Sequence, residues 1–170
     1  MARVKDIVRA HKTDVAFTGW KSGGMPKLLF PLGRSGRNSL NLRAFDWCGI
    51  SFRALSSEFR MLIAVNFEKE EYYAHLGRVC GGDTQMLCSY EFHATHPGWH
   101  VHAGCGDTAL IPVGRYKGPW KRRIPRDPNT CRDTALGVLN LEEALARACA
   151  LYGIPVPPSD PANAQMPLLS

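Results

Sequence analysis

Four of the chain's six histidines fall within ten residues: His93, His96, His100 and His102. They lie in a stretch where apolar and polar side chains alternate, the pattern of a half-buried strand. Met86, Cys88, Tyr90, Phe92 and Ala94 form one row, and Leu87, Ser89, Glu91 and His93 form the other. Thr95-His96-Pro97-Gly98 reads as a turn that leaves His96 exposed, after which Trp99, Val101 and Ala103 resume the apolar row. Directly opposed residues of an antiparallel hairpin share a face. A four-residue loop 95–98 opposes His93 to His100, and a two-residue loop 97–98 opposes His93 to His102. Either register puts Glu91, His93, His100 and His102 on one face, with Phe92, Trp99 and Val101 behind them.

Three imidazoles and a carboxylate suit a divalent metal ion with nitrogen and oxygen ligands (Mn, Mg or Zn), and an open position on it can polarise a phosphate. Without metal, one imidazole can take a proton from a ribose 2′-hydroxyl while another gives one to the leaving oxygen. The third reading is a polar, solvent-facing side of a sheet with incidental histidines. Residue types and spacing leave all three open.

The run from His93 to His102 has the spacing H-x6-H-x-H and ends in His-Val-His. It resembles the three-histidine motif of the HUH endonucleases, the superfamily of plasmid relaxases and rolling-circle initiators. The resemblance implies a metal held by His93, His100 and His102 on an antiparallel sheet, and a tyrosine that attacks a DNA phosphate. Tyr116 and Tyr152 both follow the histidines, and Tyr116, inside a basic segment, is the candidate. His11-Lys12-Thr13 and His93-Ala94-Thr95 also match the spelling of the paired H-x-T motifs of two-histidine phosphoesterases.

A phosphate needs cations, and the charge supplies them in one place. The 170 residues carry a net +6. Seven basic residues between Arg115 and Arg132 (Arg115, Lys117, Lys121, Arg122, Arg123, Arg126 and Arg132) face one acid, Asp127, so that segment accounts for the whole excess. The pattern excludes a uniformly basic, histone-like protein and implies a neutral body with one positive patch. Gly118, Pro119 and Pro125 keep the segment from being helical, and Tyr116 and Trp120 interleave its charges. A basic loop of that kind neutralises phosphates and stacks unpaired bases, which favours single-stranded nucleic acid as partner. The competing class is a non-enzymatic regulator or inhibitor that binds nucleic acid or an acidic protein through the same loop. Gly33-Arg34-Ser35-Gly36-Arg37 is a weaker phosphate-cradling candidate, without P-loop spacing.

The elements that must position these groups are those of an α+β domain over residues 1–153. Residues 1–57 read as loop-rich, with Pro26–Phe30 a short strand. Residues 58–104 form an antiparallel meander of four strands, 114–132 the basic loop, and 140–152 a helix packed on the sheet. Asn140 and Glu143 supply its start signal and Gly153 its stop, and Leu141, Ala144, Leu145, Ala148 and Tyr152 form its packing stripe. Residues 154–170, with five prolines, read as an extended or disordered tail. The six cysteines form no CxxC pair and read mainly as reduced core residues. With no secretory pattern and no apolar run near the ~20 residues that span a bilayer, the expectation is a cytoplasmic protein without a membrane role.

Overall fold

The computed structural model describes residues 2–33, 40–93, 96–131 and 133–156. Residues Arg34, Ser35, Gly36 and Arg37 of the cradle, Thr95 of the H-x-T motif, Arg132, and all of the tail from 157 lie outside them.

Among the described residues, eight antiparallel strands make one open sheet, with α-helices near its first and last strands in sequence packed on one face. In chain order these are α1 (Val4–Arg9), β1 (Thr13–Phe17), β2 (Lys21–Ser22), β3 (Asp46–Ala54), β4 (Ser57–Asn66), β5 (Glu71–Cys80), β6 (Asp83–His93), β7 (His96–Gly104), β8 (Lys121–Ile124) and α2 (Leu141–Tyr152). The strand order is β1-β3-β4-β5-β6-β7-β8, and β2 also pairs with β3. The expected meander is therefore the centre of a larger sheet.

At its margins the short strand expected at Pro26–Phe30 and the loop expected over 114–132 need correction. Residues 1–57, read as loop-rich with one short strand, also hold α1 and β1 to β3. β3 escapes notice because its turn to β4 is Leu55-Ser56, both at left-handed φ (47° and 59°) without the glycine or asparagine that such a turn favours. Pro26–Phe30 is a turn, closed by the Leu29 N–H on the Pro26 carbonyl at 3.0 Å. At the other margin, Lys121–Ile124 is a strand on the free edge of β7.

Both faces of the central strands are covered. On one, Phe52, Phe59, Met61, Ile63, Val65, Tyr72 and Leu76 pack under α1 and α2. On the other, Trp47, Leu62, Ala64 and Met86 pack under Phe30, Leu32 and Leu42 of the 23–45 segment. Helix α2 forms as its signals dictate: the Asn140 side chain accepts from the Glu143 N–H at 2.9 Å, and Gly153 takes φ 62°. Tyr152 donates to the Ala74 carbonyl at 2.8 Å and Tyr72 to that of Ala144 at 2.9 Å, riveting helix to sheet. Ile154, expected in the tail, is buried in this core.

Two irregularities decide which side chains face the site. Leu76 pairs with Cys88 but Gly77 with Met86, so Leu87 is an extra residue in β6. A one-residue bulge switches the faces on either side of it. Met86 thus belongs to the second core, whereas Cys88, expected beside it, belongs to the first. The second irregularity separates the pairs Glu91–His100 and His93–His96 in the β6–β7 hairpin. The register differs from both expected ones, but the shared face survives it.

Candidate metal centre

Trp99 fixes the floor of the site by anchoring β7 from behind. Its ring lies 4.9 Å from Tyr72, 4.7 Å from Tyr90 and 5.3 Å from Phe92, with the Arg147 guanidinium 4.3 Å above it. Its indole N–H donates to the Ala135 carbonyl at 3.0 Å. With Trp99 held on the helix-covered face, strand alternation sends His100 to the other. Gly98 sits in the irregularity with φ 85°, and a Cβ there would lie 2.4 Å from that of Cys131. Its carbonyl is bonded to His100 Nδ1 at 3.0 Å. That bond fixes the neutral tautomer with its lone pair on Nε2, turned towards Glu91.

Glu91 is where the predicted residues meet. Its Oε2 lies 3.5 Å from His93 Nε2, 3.8 Å from His100 Nε2 and 3.9 Å from His102 Nε2. The side chains of His100 and Glu91 are 0% and 6% exposed, so His100 lies buried beside the carboxylate, while His102 at 33% opens to the cleft. Among the described residues, Glu91, His100 and His102 form a group whose ligand atoms all lie within 4.8 Å of one another. Bonds of about 2.0–2.1 Å to a tetrahedral ion set ligand atoms roughly 3.4 Å apart, so the Glu91–His100 and Glu91–His102 pairs need to close by about half an ångström, and no pair by more than about 1.4 Å. These three residues can hold a metal ion, with His93 beside them.

Electrostatics keep the group in a ligand-competent form. Burial raises the Glu91 carboxyl, but the His93 hydrogen bond and the charges of His75 and His102 outweigh it and hold the acid well below its usual range. Burial lowers both His100 and His102. An ionised carboxylate and neutral imidazoles are the states a metal requires.

Three residues that line the cleft, Glu71, Tyr73 and His75, come from β5 and were not foreseen. His75, bonded through Nδ1 to the Ser89 hydroxyl, is pulled down to about 4 by burial. Tyr73 stacks between His75 and His93, 5.8 and 6.0 Å away. The signal was present, since Glu71, Tyr73 and His75 occupy the polar row of a strand paired with β6.

The basic segment divides in two. Strand pairing sets Arg123 opposite His102 and Lys121 opposite Gly104, so both lie on the histidine face and Arg122 on the other. Lys117 and Lys121 line a cleft of about 680 Å³ above the cluster, with Glu91, His93 and His102 on its floor. Burial draws Lys121 down to about 8, with the Glu91 carboxylate opposing the shift. Arg123 is tethered to the Pro125 carbonyl at 2.6 Å, while Arg115, Arg122 and Arg126 are exposed outside the cleft.

The aromatics of this segment turn inward. The Tyr116 hydroxyl donates to Glu91 Oε1 at 3.2 Å, and burial raises this phenol well above its ordinary value. Trp120 is half-buried against the main core. Tyr152 is buried on the far face. His93 and Thr13 do not meet: their strands, β6 and β1, are four strand spacings apart in the sheet, roughly 19 Å. No helix among the described residues is long and apolar enough to cross a membrane.

Searches of protein-family models, curated proteins and solved structures find no match to this chain.

Proposed function

We propose that the protein is a metal-dependent phosphodiesterase acting on single-stranded nucleic acid. The observation that carries this reading is the convergence of Glu91, His100 and His102, of which Glu91 and His102 line a cleft that also presents Lys117 and Lys121, with His100 buried beside them. Two imidazoles and one carboxylate favour Zn or Mn over Mg, which prefers an all-oxygen shell. When bound, such an ion supplies Lewis acidity at a phosphate oxygen and lowers the pKa of water.

The chain's own groups divide the remaining work. Lys117 and Lys121 attract and orient the phosphate. His93, 3.5 Å from Glu91 and beside the ligand group, exchanges a proton with the attacking water or the leaving oxygen. Tyr116 holds the carboxylate through its hydroxyl; a buried, protonated phenol suits that role better than attack on phosphorus. The reading therefore departs from the tyrosine chemistry that the HUH resemblance implies and keeps its metal, with Glu91 in place of His93 as the third ligand. A buried floor favours a single strand, which can enter a cleft, over the wall of a duplex.

A second reading, binding of nucleic acid or an acidic protein without catalysis, draws on Arg115, Arg122 and Arg126, which lie exposed outside the cleft. Cleavage of end-labelled single-stranded DNA and RNA by untagged protein, with Zn or Mn, separates the two. We expect metal-dependent cleavage that falls at least about a hundredfold in the His100→Ala/His102→Ala double variant. Binding without cleavage, or cleavage equal in wild type and variant, refutes the enzyme reading.

A further inference from the structure

The order of strands in the sheet orders the chemistry along the cleft. At the β5 end, Tyr73 packs against Phe45 with ring centroids 5.9 Å apart. Leu40 and Leu42, from the segment that covers this end, add to the apolar wall. In the middle, β6 and β7 carry Glu91, His93 and His102. At the far end β8 carries Lys121, and the Lys117 and Lys121 ammonium groups sit 5.5 and 5.1 Å from the Tyr116 ring. With strands ~4.8 Å apart, β5 to β8 spans roughly 14 Å. The cleft thus runs from an aromatic end, past the ligand group, to a cationic end.

We propose that this cleft recognises one nucleotide unit, with its base against Phe45 and Tyr73 and its phosphate towards Lys117 and Lys121. The inference rests on the phosphodiesterase reading and adds the substrate unit to it. Every base has a π-face, and aromatic side chains bind it without regard to sequence. Glu71 and Asn41 line the same end and offer acceptors to the amino hydrogens of a base. A volume of about 680 Å³ falls within the range of small-molecule sites and does not hold a run of several nucleotides. A bare sugar phosphate would use the lysines and leave the Phe45 end unfilled. Because Trp120 packs against the core and the Tyr116 ring lies at the cationic end beside Lys117 and Lys121, base recognition falls to Phe45 and Tyr73, outside the basic segment.

Calorimetric titration of the full chain with adenosine 5′-monophosphate and with ribose 5-phosphate, without added metal, tests the assignment. The nucleotide should bind at least about tenfold more tightly than the sugar phosphate. Phe45→Ala should weaken the nucleotide about tenfold and leave ribose 5-phosphate unchanged, which separates lost stacking from a damaged fold. Phe45→Leu, which keeps an apolar wall without a ring, should act in the same direction. Equal binding of the two ligands, or nucleotide affinity unmoved by both variants, overturns the proposal. Metal-dependent cleavage of oligonucleotides with no preference for the nucleotide over the sugar phosphate would overturn this inference and leave the phosphodiesterase reading standing. Nucleotide preference without cleavage would do the reverse.

Discussion

Glu91 is the residue on which the site turns, because His93, His100, His102 and Tyr116 all address its carboxylate. Glu91→Gln keeps the shape and removes the charge, so metal affinity should fall at least tenfold to a hundredfold while the fold persists; calorimetry with Zn reads the change. The buried histidines also set a pH dependence. His75 titrates near 4 in the fold against about 6.5 in an open chain. The unfolded state therefore takes up the proton first, and stability falls as pH drops from 6.5 to 4, by roughly 3 kcal/mol from this group. His100 and His102 are shifted the same way, and Glu91, whose folded acid is the stronger, adds a loss below its unfolded value of about 4.5. Urea unfolding at pH 7 and pH 5 should show the decline, and His75→Gln should flatten it. A stability that rises towards pH 5 contradicts the burial of neutral imidazoles.

At the scale of elements, the β6–β7 hairpin was the most legible part. Its alternation placed Glu91, His93, His100 and His102 together even though neither expected register forms. A shared face depends on parity along the strand, and the irregularity next to Gly98 preserves it. The Leu87 bulge was not legible, since an extra residue inside an apolar run leaves no trace in the pattern. Nor was β8: a four-residue run of Lys-Arg-Arg-Ile carries no apolar alternation, and pairing to β7 alone makes it a strand. Gly98 is the hinge of this element, so Gly98→Ala should destabilise the chain by about 1–3 kcal/mol and weaken metal binding through His100. Asn140→Ala, which removes the cap of α2 on the opposite face, should cost about 1 kcal/mol and leave metal binding unchanged. Thermal unfolding paired with Zn titration distinguishes the two variants.

At the scale of the whole molecule, the sheet sorts charge as well as hydrophobicity. The +6 segment read as one loop, but strand pairing sends Lys121 and Arg123 to the histidine face and Arg122 to the other. Reversal of Lys121 to Glu should therefore abolish cleavage and reduce the salt dependence of binding, whereas Arg122→Glu should leave cleavage within about twofold. Fold class was readable from periodicity and from the caps of α2. The polar row Glu71, Tyr73 and His75 of β5 was there to read, but that it adjoins Glu91 follows only from the pairing of β5 with β6. The central claim is that this sheet face holds a divalent ion, and anomalous diffraction from crystals of untagged protein soaked in Zn tests it most directly. One strong peak bonded to Glu91, His100 and His102 is expected. Zinc at saturating concentration with no peak at those three side chains would contradict it.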